Sequence, residues 1–336
     1  MAMIDPKLPA LRVAADGSAM RERLAAALSA GAVVTDLAPT RVACRVLKHT
    51  IGKRCVIAYD LYDGAREIRV VAKLYRGDRG KAVFERLTDL WRRTRGGDSL
   101  PSLGMPEPIA YLAELGMVLQ SEAPGTPLDR LERSGPWVQA VHATADNLAR
   151  LHAVTGALAE TRPLAATLRR LCRPAPPELA AACPEFAPAI ARVSARLASA
   201  VTGPEALVHG DLGLGQVFFA GERATFVDFD GSCLASPSLD VANFMVSLEG
   251  RFGSAGEPLK RAFVERYAVR GRAGALEGLG AYLGLAYLRR ATTAFRAAFR
   301  AGAGAGSLGR VSDLVRRADR ASGSSAATDQ AGQEVR

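Results

Sequence analysis

Apolar positions along the chain change period several times, and each change marks an element. Residues 18–30 carry Leu24 and Leu28 on one side behind Ser18, a candidate cap, and read as an accessory surface helix. From residue 41 the period drops to two. Segments 41–48, 54–62 and 67–75 read as successive antiparallel strands, and Asp63-Gly64 marks a tight hairpin between the second and third. A helix is predicted over 81–93, then a Pro-rich connection over 101–108 and a strand over 115–120 that runs into Ser121-Glu122-Ala123-Pro124-Gly125. Gly135-Pro136 opens a long helix in which Trp137, Val141, Ala145, Leu148 and Leu151 repeat at helical spacing. Residues 161–200 alternate helical runs around a Pro-rich break at 174–177. Two short apolar runs then deliver Asp211 and Asp228, with a hairpin at Gly221 between them. From residue 236 to 300 the pattern is helical again, with 279–288, Phe295 and Phe299 as a packing face.

Composition narrows the class. A chain of 336 residues suffices for one large or two modest domains, and no internal repeat is visible. The formal net charge of +10 would suit a nucleic acid, but the basic residues are dispersed and aromatics make up only 6%, so neither a nucleic-acid nor a membrane partner is expected. Between positions 241 and 320 there are 14 Arg and Lys against 6 Asp and Glu. A site for a polycationic acceptor calls for the opposite balance, although a solvated surface would give the same count. Cys44, Cys55, Cys172, Cys183 and Cys233 are odd in number and without metal spacing, and read as reduced thiols. His142 and His152 on the long helix read as structural. No secretory signal is read, and 279–288 is too short to span a bilayer, so a cytoplasmic protein is expected. The expected divisions are the accessory helix within 1–40, a sheet-bearing lobe over 41–122, a larger lobe over 123–320 and a tail over 321–336 too poor in apolar residues to fold, with 301–306 a low-complexity link.

The candidate chemistry lies in Val208-His209-Gly210-Asp211-Leu212-Gly213-Leu214-Gly215-Gln216 and in Val227-Asp228-Phe229-Asp230. Phosphoryl transfer from a nucleotide needs one carboxylate to orient and deprotonate the attacking hydroxyl, plus an amide oxygen and a second carboxylate to hold magnesium. Asp211, Gln216 and Asp228 supply these at the ends of short strands. Gly210 permits a constrained backbone, and His209 can hold the loop in shape by hydrogen bonding. Asp230 is two residues past Asp228 on the same side of an extended chain, where it either reaches a second magnesium or a water, or is a surface-turn carboxylate. Lys73 sits inside an alternating apolar strand, where an unpaired ammonium costs free energy to bury. It either meets nucleotide phosphates or snorkels to water from an edge strand. Gly213 and Gly215 precede a strand, so a dinucleotide fingerprint fails, and no Gly-x-x-x-x-Gly-Lys-Ser/Thr motif occurs.

His-Gly-Asp, an amide five positions on and Val-Asp-Phe resemble the aminoglycoside phosphotransferase family over roughly residues 41–240. Leu148-Ala149-Arg150-Leu151-His152 is similar to the helix before that family's catalytic loop. The resemblance implies a two-lobed α+β protein-kinase-like fold, with a small antiparallel-sheet N-lobe and a larger, mainly helical C-lobe. It implies ATP- and magnesium-dependent transfer of the γ-phosphate to a hydroxyl of a small molecule, whether sugar, metabolite or antibiotic. Lys73 would contact the phosphates and pair with Glu85 on the next helix; Gly52 and Lys53 would lie over them; the linker backbone at Gln120 and Glu122 would meet the adenine. Asp211 and His209 would be catalytic, Gln216, Asp228 and Asp230 would hold metal, and Asp240 would brace the catalytic loop. The family usually has Asn where Gln216 stands, while maltokinase-like sugar kinases carry Gly-Gln as here. The extra methylene keeps the amide oxygen but alters its reach. Loop 49–53 has a single glycine and reads equally as a plain hairpin. With Gln216, that loop also fits a non-catalytic nucleotide-binding module, a pseudokinase. The Ala-Pro-Glu segment of protein kinases is missing after Asp228, which argues against a protein acceptor.

Overall fold

Alternation in the first half of the chain produces a five-stranded antiparallel sheet. Its strands are β1 (Arg41–Thr50), β2 (Arg54–Asp63), β3 (Arg66–Tyr75), β4 (Pro108–Leu112) and β5 (Met117–Ser121), in the order β1-β2-β3-β5-β4. β4 begins where the Pro-rich connection was expected to end. Pro108 is tolerated there because β4 is an edge strand with no second neighbour to receive its missing N–H.

The pleat sorts the side chains of β2 and β3. Cys55, Ile57, Tyr59 and Leu61 share a face with Val70, Ala72 and Leu74, and all are buried against the helices α1 (Leu11–Ala14) and α2 (Gly17–Ala30) through Leu11, Met20, Leu24 and Leu28. Each fully buried leucine contributes about 1.5–3 kcal/mol. The segment read as an accessory helix therefore supplies part of this core. Asp16, rather than Ser18, caps α2: its carboxylate accepts the N–H groups of Ser18 and Ala19 at 2.9 and 3.2 Å. The opposite face of the sheet carries Arg54, Lys73 and Tyr75, since Arg54 stands across from Tyr75 and Val56 across from Lys73. Helix α3 (Arg79–Arg93) packs on β4 and β5.

The computed structural model describes residues 4–30, 38–64, 66–95, 102–200, 203–300 and 308–323. Two compact units divide the protein: 1–125 with 225–230, and 126–224 with 231–336. In the second unit, β6 (Thr126–Pro127), α4 (Trp137–Ala153), α5 (Leu164–Leu171), α6 (Pro176–Ala182) and α7 (Ala187–Ala198) precede β7 (Ala206–Val208). The hairpin of β8 (Val217–Ala220) and β9 (Arg223–Phe226) turns at Gly221, where φ is +59. After β10 (Cys233–Ala235), which pairs with β7, come α8 (Ser238–Phe252), α9 (Glu257–Arg270), α10 (Leu279–Arg300) and α11 (Gly309–Gly323). α4 packs on α9, α8 on α10, and α10 on α11, around a core that includes Leu148, Leu151, Phe244, Phe263, Leu285 and Leu288. Phe299, expected on the packing face of α10, is exposed and stacks with Phe295 instead, because the helix has left the core beyond Thr292. The low-complexity link at 301–306 and the tail from 324 onward lie outside the described residues. No helix among the described residues is long and apolar enough to cross a membrane.

Candidate active site

In the first unit, two carboxylates from the returning segment 225–230 meet the polar face of β2 and β3. The Lys73 ammonium donates to Asp228 Oδ1 at 3.1 Å and lies 3.6 Å from Asp230 Oδ1. Arg54 forks onto both oxygens of Asp228 at 3.0 Å and donates to Asp230 Oδ2 at 2.8 Å. The Tyr75 hydroxyl donates to Asp230 Oδ1 at 2.7 Å, and Arg79 from α3 comes within 3.7 Å of Asp230 Oδ2. Lys73 keeps only 7% of its side chain exposed, a burial these anions make tolerable. Burial by itself would raise the Asp228 pKa, but Lys73 and Arg54 outweigh it and hold the carboxyl well below the usual range. Burial, then Asp230, pushes the Tyr75 phenol up. Asp228 is the one non-glycine among the described residues with positive φ, at +70. That conformation costs about 1–3 kcal/mol and persists only where neighbouring contacts impose it, as Arg54 and Lys73 do here.

The remaining first-unit candidates stand elsewhere. Glu85 is exposed on α3, and the ion pairs of Lys73 go to Asp228 and Asp230 instead. Gly52 adopts φ +68 in the β1–β2 turn, and its N–H donates to Asp5 Oδ2 at 2.7 Å. Asp5 also meets His49 Nε2 at 2.9 Å and accepts from the Lys7 N–H. The Gly52 amide foremost, against burial, holds the Asp5 carboxyl below its ordinary value. Lys53 is exposed in the same turn. Gln120 is buried in β5 opposite Val71, while Glu122 is exposed and 3.5 Å from Arg69.

In the second unit, β7 delivers His209-Gly210-Asp211. Gly210 has φ +77, and a Cβ there would stand 2.4 Å from the Gly231 carbonyl oxygen, so glycine is required on both counts. Asp240, fully buried at the start of α8, accepts the N–H of His209 at 2.6 Å and of Gly210 at 2.9 Å. His152 Nε2 donates to the same carboxylate at 3.2 Å, which leaves Nδ1 to accept the Tyr267 hydroxyl at 2.6 Å. Asp240 thus binds two backbone N–H groups of this loop, and His152, read as structural, shares the same carboxylate. Asp211 is half-exposed, and Arg289 from α10 donates to its Oδ1. Gln216 ends a short helical turn, and its Oε1 lies 3.2 Å from where a Cβ on Gly213 would be. Sequence reasoning missed Arg54, Tyr75, Arg79, Tyr267 and Arg289. Arg54 and Tyr75 had local signals: Tyr75 is two residues past Lys73 on β3, and the hairpin register places Arg54 on the same face.

Arg54, Lys73 and Tyr75 already engage the oxygens of Asp228 and Asp230. Carboxylate oxygens are the ligand type that magnesium takes, one or two at a time with the rest from water and phosphate, and a cation here would compete with Arg54 and Lys73 for them. Among the described residues no group of three or more His, Cys, Asp or Glu is arranged to hold a metal ion.

A family model described as the phosphotransferase enzyme family matches residues 58–282. No curated protein matches this sequence. Among solved structures, it is similar to a choline/ethanolamine kinase family protein from Mesorhizobium loti, with TM-score 0.58 and 16% identity over 90% of this chain and 99% of that one. It is also similar to the amicoumacin kinase hAmiN in complex with AMP-PNP, Ca2+ and Ami, with TM-score 0.59 and 12% identity over 82% and 88% of the two proteins. A thermostable mutant of aminoglycoside phosphotransferase APH(4)-Ia, in ternary complex with AMP-PNP and hygromycin B, gives TM-score 0.53 and 15% identity over 82% and 93%. These likenesses show the fold: an α+β kinase-like protein with an antiparallel sheet toward its N-terminus and a helical region toward its C-terminus.

Proposed function

We propose that this chain, which belongs to the phosphotransferase enzyme family, transfers the γ-phosphate of ATP to a hydroxyl of a small molecule with magnesium as cofactor. The observation that carries this reading is Asp211 held on a loop whose backbone Asp240 fixes, in a protein that also pairs a buried Lys73 with Asp228 and Asp230. Lys73 and Arg54 would hold phosphate oxygens, and Asp228 with Asp230 would hold magnesium, with Gln216 as a further oxygen donor. Bound magnesium would neutralise triphosphate oxygens and orient them for in-line attack. The Gly52 amide has a smaller part in this scheme, because Asp5 already engages it. Asp211 would accept the hydroxyl proton as the acceptor oxygen bonds to the γ-phosphorus and ADP leaves. The nucleotide complexes of the similar structures support this reading, as those proteins bind AMP-PNP in the same fold.

Asp211→Asn is expected to reduce transfer by about 10²–10⁴-fold while thermal stabilisation by Mg-ATP survives, since the carboxylate acts on the acceptor rather than the nucleotide. Asp228→Asn should lose that stabilisation. Full transfer by Asp211→Asn would overturn the catalytic assignment. Nucleotide stabilisation of the wild type with no turnover on sugars, aminoglycosides, macrolides or amino alcohols would favour the pseudokinase alternative, which Gln216 in place of the family's usual Asn keeps in view.

A further inference from the structure

Resting on that phosphotransferase reading, we propose that the acceptor carries an anionic group, which Arg289 docks beside the hydroxyl that Asp211 deprotonates. One terminal nitrogen of Arg289 donates to Asp211 Oδ1, and the other reaches Asn243 Oδ1 at 3.4 Å. Asn243 is neutral and orients the guanidinium, while Asp211 offsets part of its charge. The side chains of Arg289 and Asp211 keep 28% and 46% of their surface, so both are open to a small molecule.

A second guanidinium comes close to the Asp211 loop from the segment before α5. Arg162 donates to the Gly231 carbonyl at 2.8 Å, and Gly231 lies so close that a Cβ on it would be 3.6 Å from the Asp211 Cβ. The carboxylate of Asp240 beneath the loop is fully buried and already committed to the N–H groups of His209 and Gly210 and to His152. A cationic amino alcohol or polyamine would approach Asp211 past like charges. A hydroxy acid would meet a planar fork suited to carboxylate or phosphate oxygens. In the transfer itself the acceptor O–H proton passes to Asp211, an O–P bond forms to the γ-phosphorus of ATP, and the bond from that phosphorus to the β–γ bridging oxygen breaks as ADP leaves. Arg289 holds the acceptor's anionic end throughout and takes no proton.

The test presents the full-length protein with two hydroxy acids, glycerate and gluconate, with their neutral counterparts glycerol and glucose, and with the cations ethanolamine and hygromycin B. Calorimetry reads binding, and ADP release in the presence of Mg-ATP reads transfer. Wild-type kcat/KM for each hydroxy acid is expected to exceed that for its neutral counterpart by about tenfold or more. In Arg289→Gln that ratio should collapse, chiefly through KM, and calorimetric binding of the acids should be lost; Arg289→Lys should restore part of both. An unchanged melting temperature shows that Arg289→Gln still folds. Preference of the wild type for ethanolamine or hygromycin B, absence of hydroxy-acid binding, or equal binding by Arg289→Gln overturns the anionic assignment and leaves the phosphotransferase reading intact. Arg289-dependent binding of the acids with no transfer to any acceptor supports the docking role and refutes the phosphotransferase reading instead.

Discussion

Asp240 holds three donors on one carboxylate: the backbone N–H groups of His209 and Gly210 and the His152 imidazole. None can turn to water, because Asp240, His152 and His209 are all buried. Replacing the carboxylate by a methyl group strands these donors, each at a cost of about 1–3 kcal/mol. Asp240→Ala is therefore expected to lose about 3–5 kcal/mol in urea unfolding, whereas a loss under about 1 kcal/mol would mean that the brace is not energetically important. The same logic explains Lys73. An alternating strand with a lysine at an inward position conflicts with its surroundings until two carboxylates arrive from residues 225–230. Asp228 takes a costly backbone conformation there, so local strain and charge pairing oppose each other at a single residue.

At the scale of elements, Glu249 joins four helices. From α8 it accepts the Lys260 ammonium of α9 at 3.0 Å, the Tyr287 hydroxyl of α10 at 2.5 Å and the Arg317 guanidinium of α11. Burial raises its pKa, but Tyr287, Lys260 and Arg317 outweigh that and leave it below the ordinary glutamate value. A carboxyl lowered in the folded state adds stability that is fully present above the unfolded value of about 4.3 and disappears as pH falls through the folded value. Glu249→Gln should cost about 2–3 kcal/mol near pH 7, and the gap to wild type should narrow as unfolding is measured toward about pH 3. A gap that widens on acidification would show that the variant acts through packing alone.

The whole molecule divides into two units, each built from two chain segments. The first is interrupted: residues 1–125 need 225–230 to complete it. The returning segment brings Asp228 and Asp230 to Lys73 and Arg54, and the Phe226 N–H to the Gly104 carbonyl at 2.8 Å. A fragment ending at Gly125 would leave Lys73 buried without an anion, so it should unfold at lower urea than the sheet in the intact protein and protect the β3 amides less from hydrogen exchange. Equal protection would show that the carboxylates matter to chemistry only. Much of this molecule could be read from letters alone. Periods of two and 3.6 placed β1, β2, β3, α3 and α4, because those patterns follow from local geometry. His-Gly-Asp and Val-Asp-Phe marked Asp211 and Asp228 as candidates, because spacing within a short segment is a local property too, whereas Asp240 came only from the family resemblance. Only folding decided the partners. Lys73 meets Asp228 across 155 residues, Arg54 meets it across 174, Arg289 meets Asp211 across 78, and Asp5 reaches Gly52 across 47. No periodicity extends over such separations, so charge pairing at the candidate site emerges only when distant segments pack together.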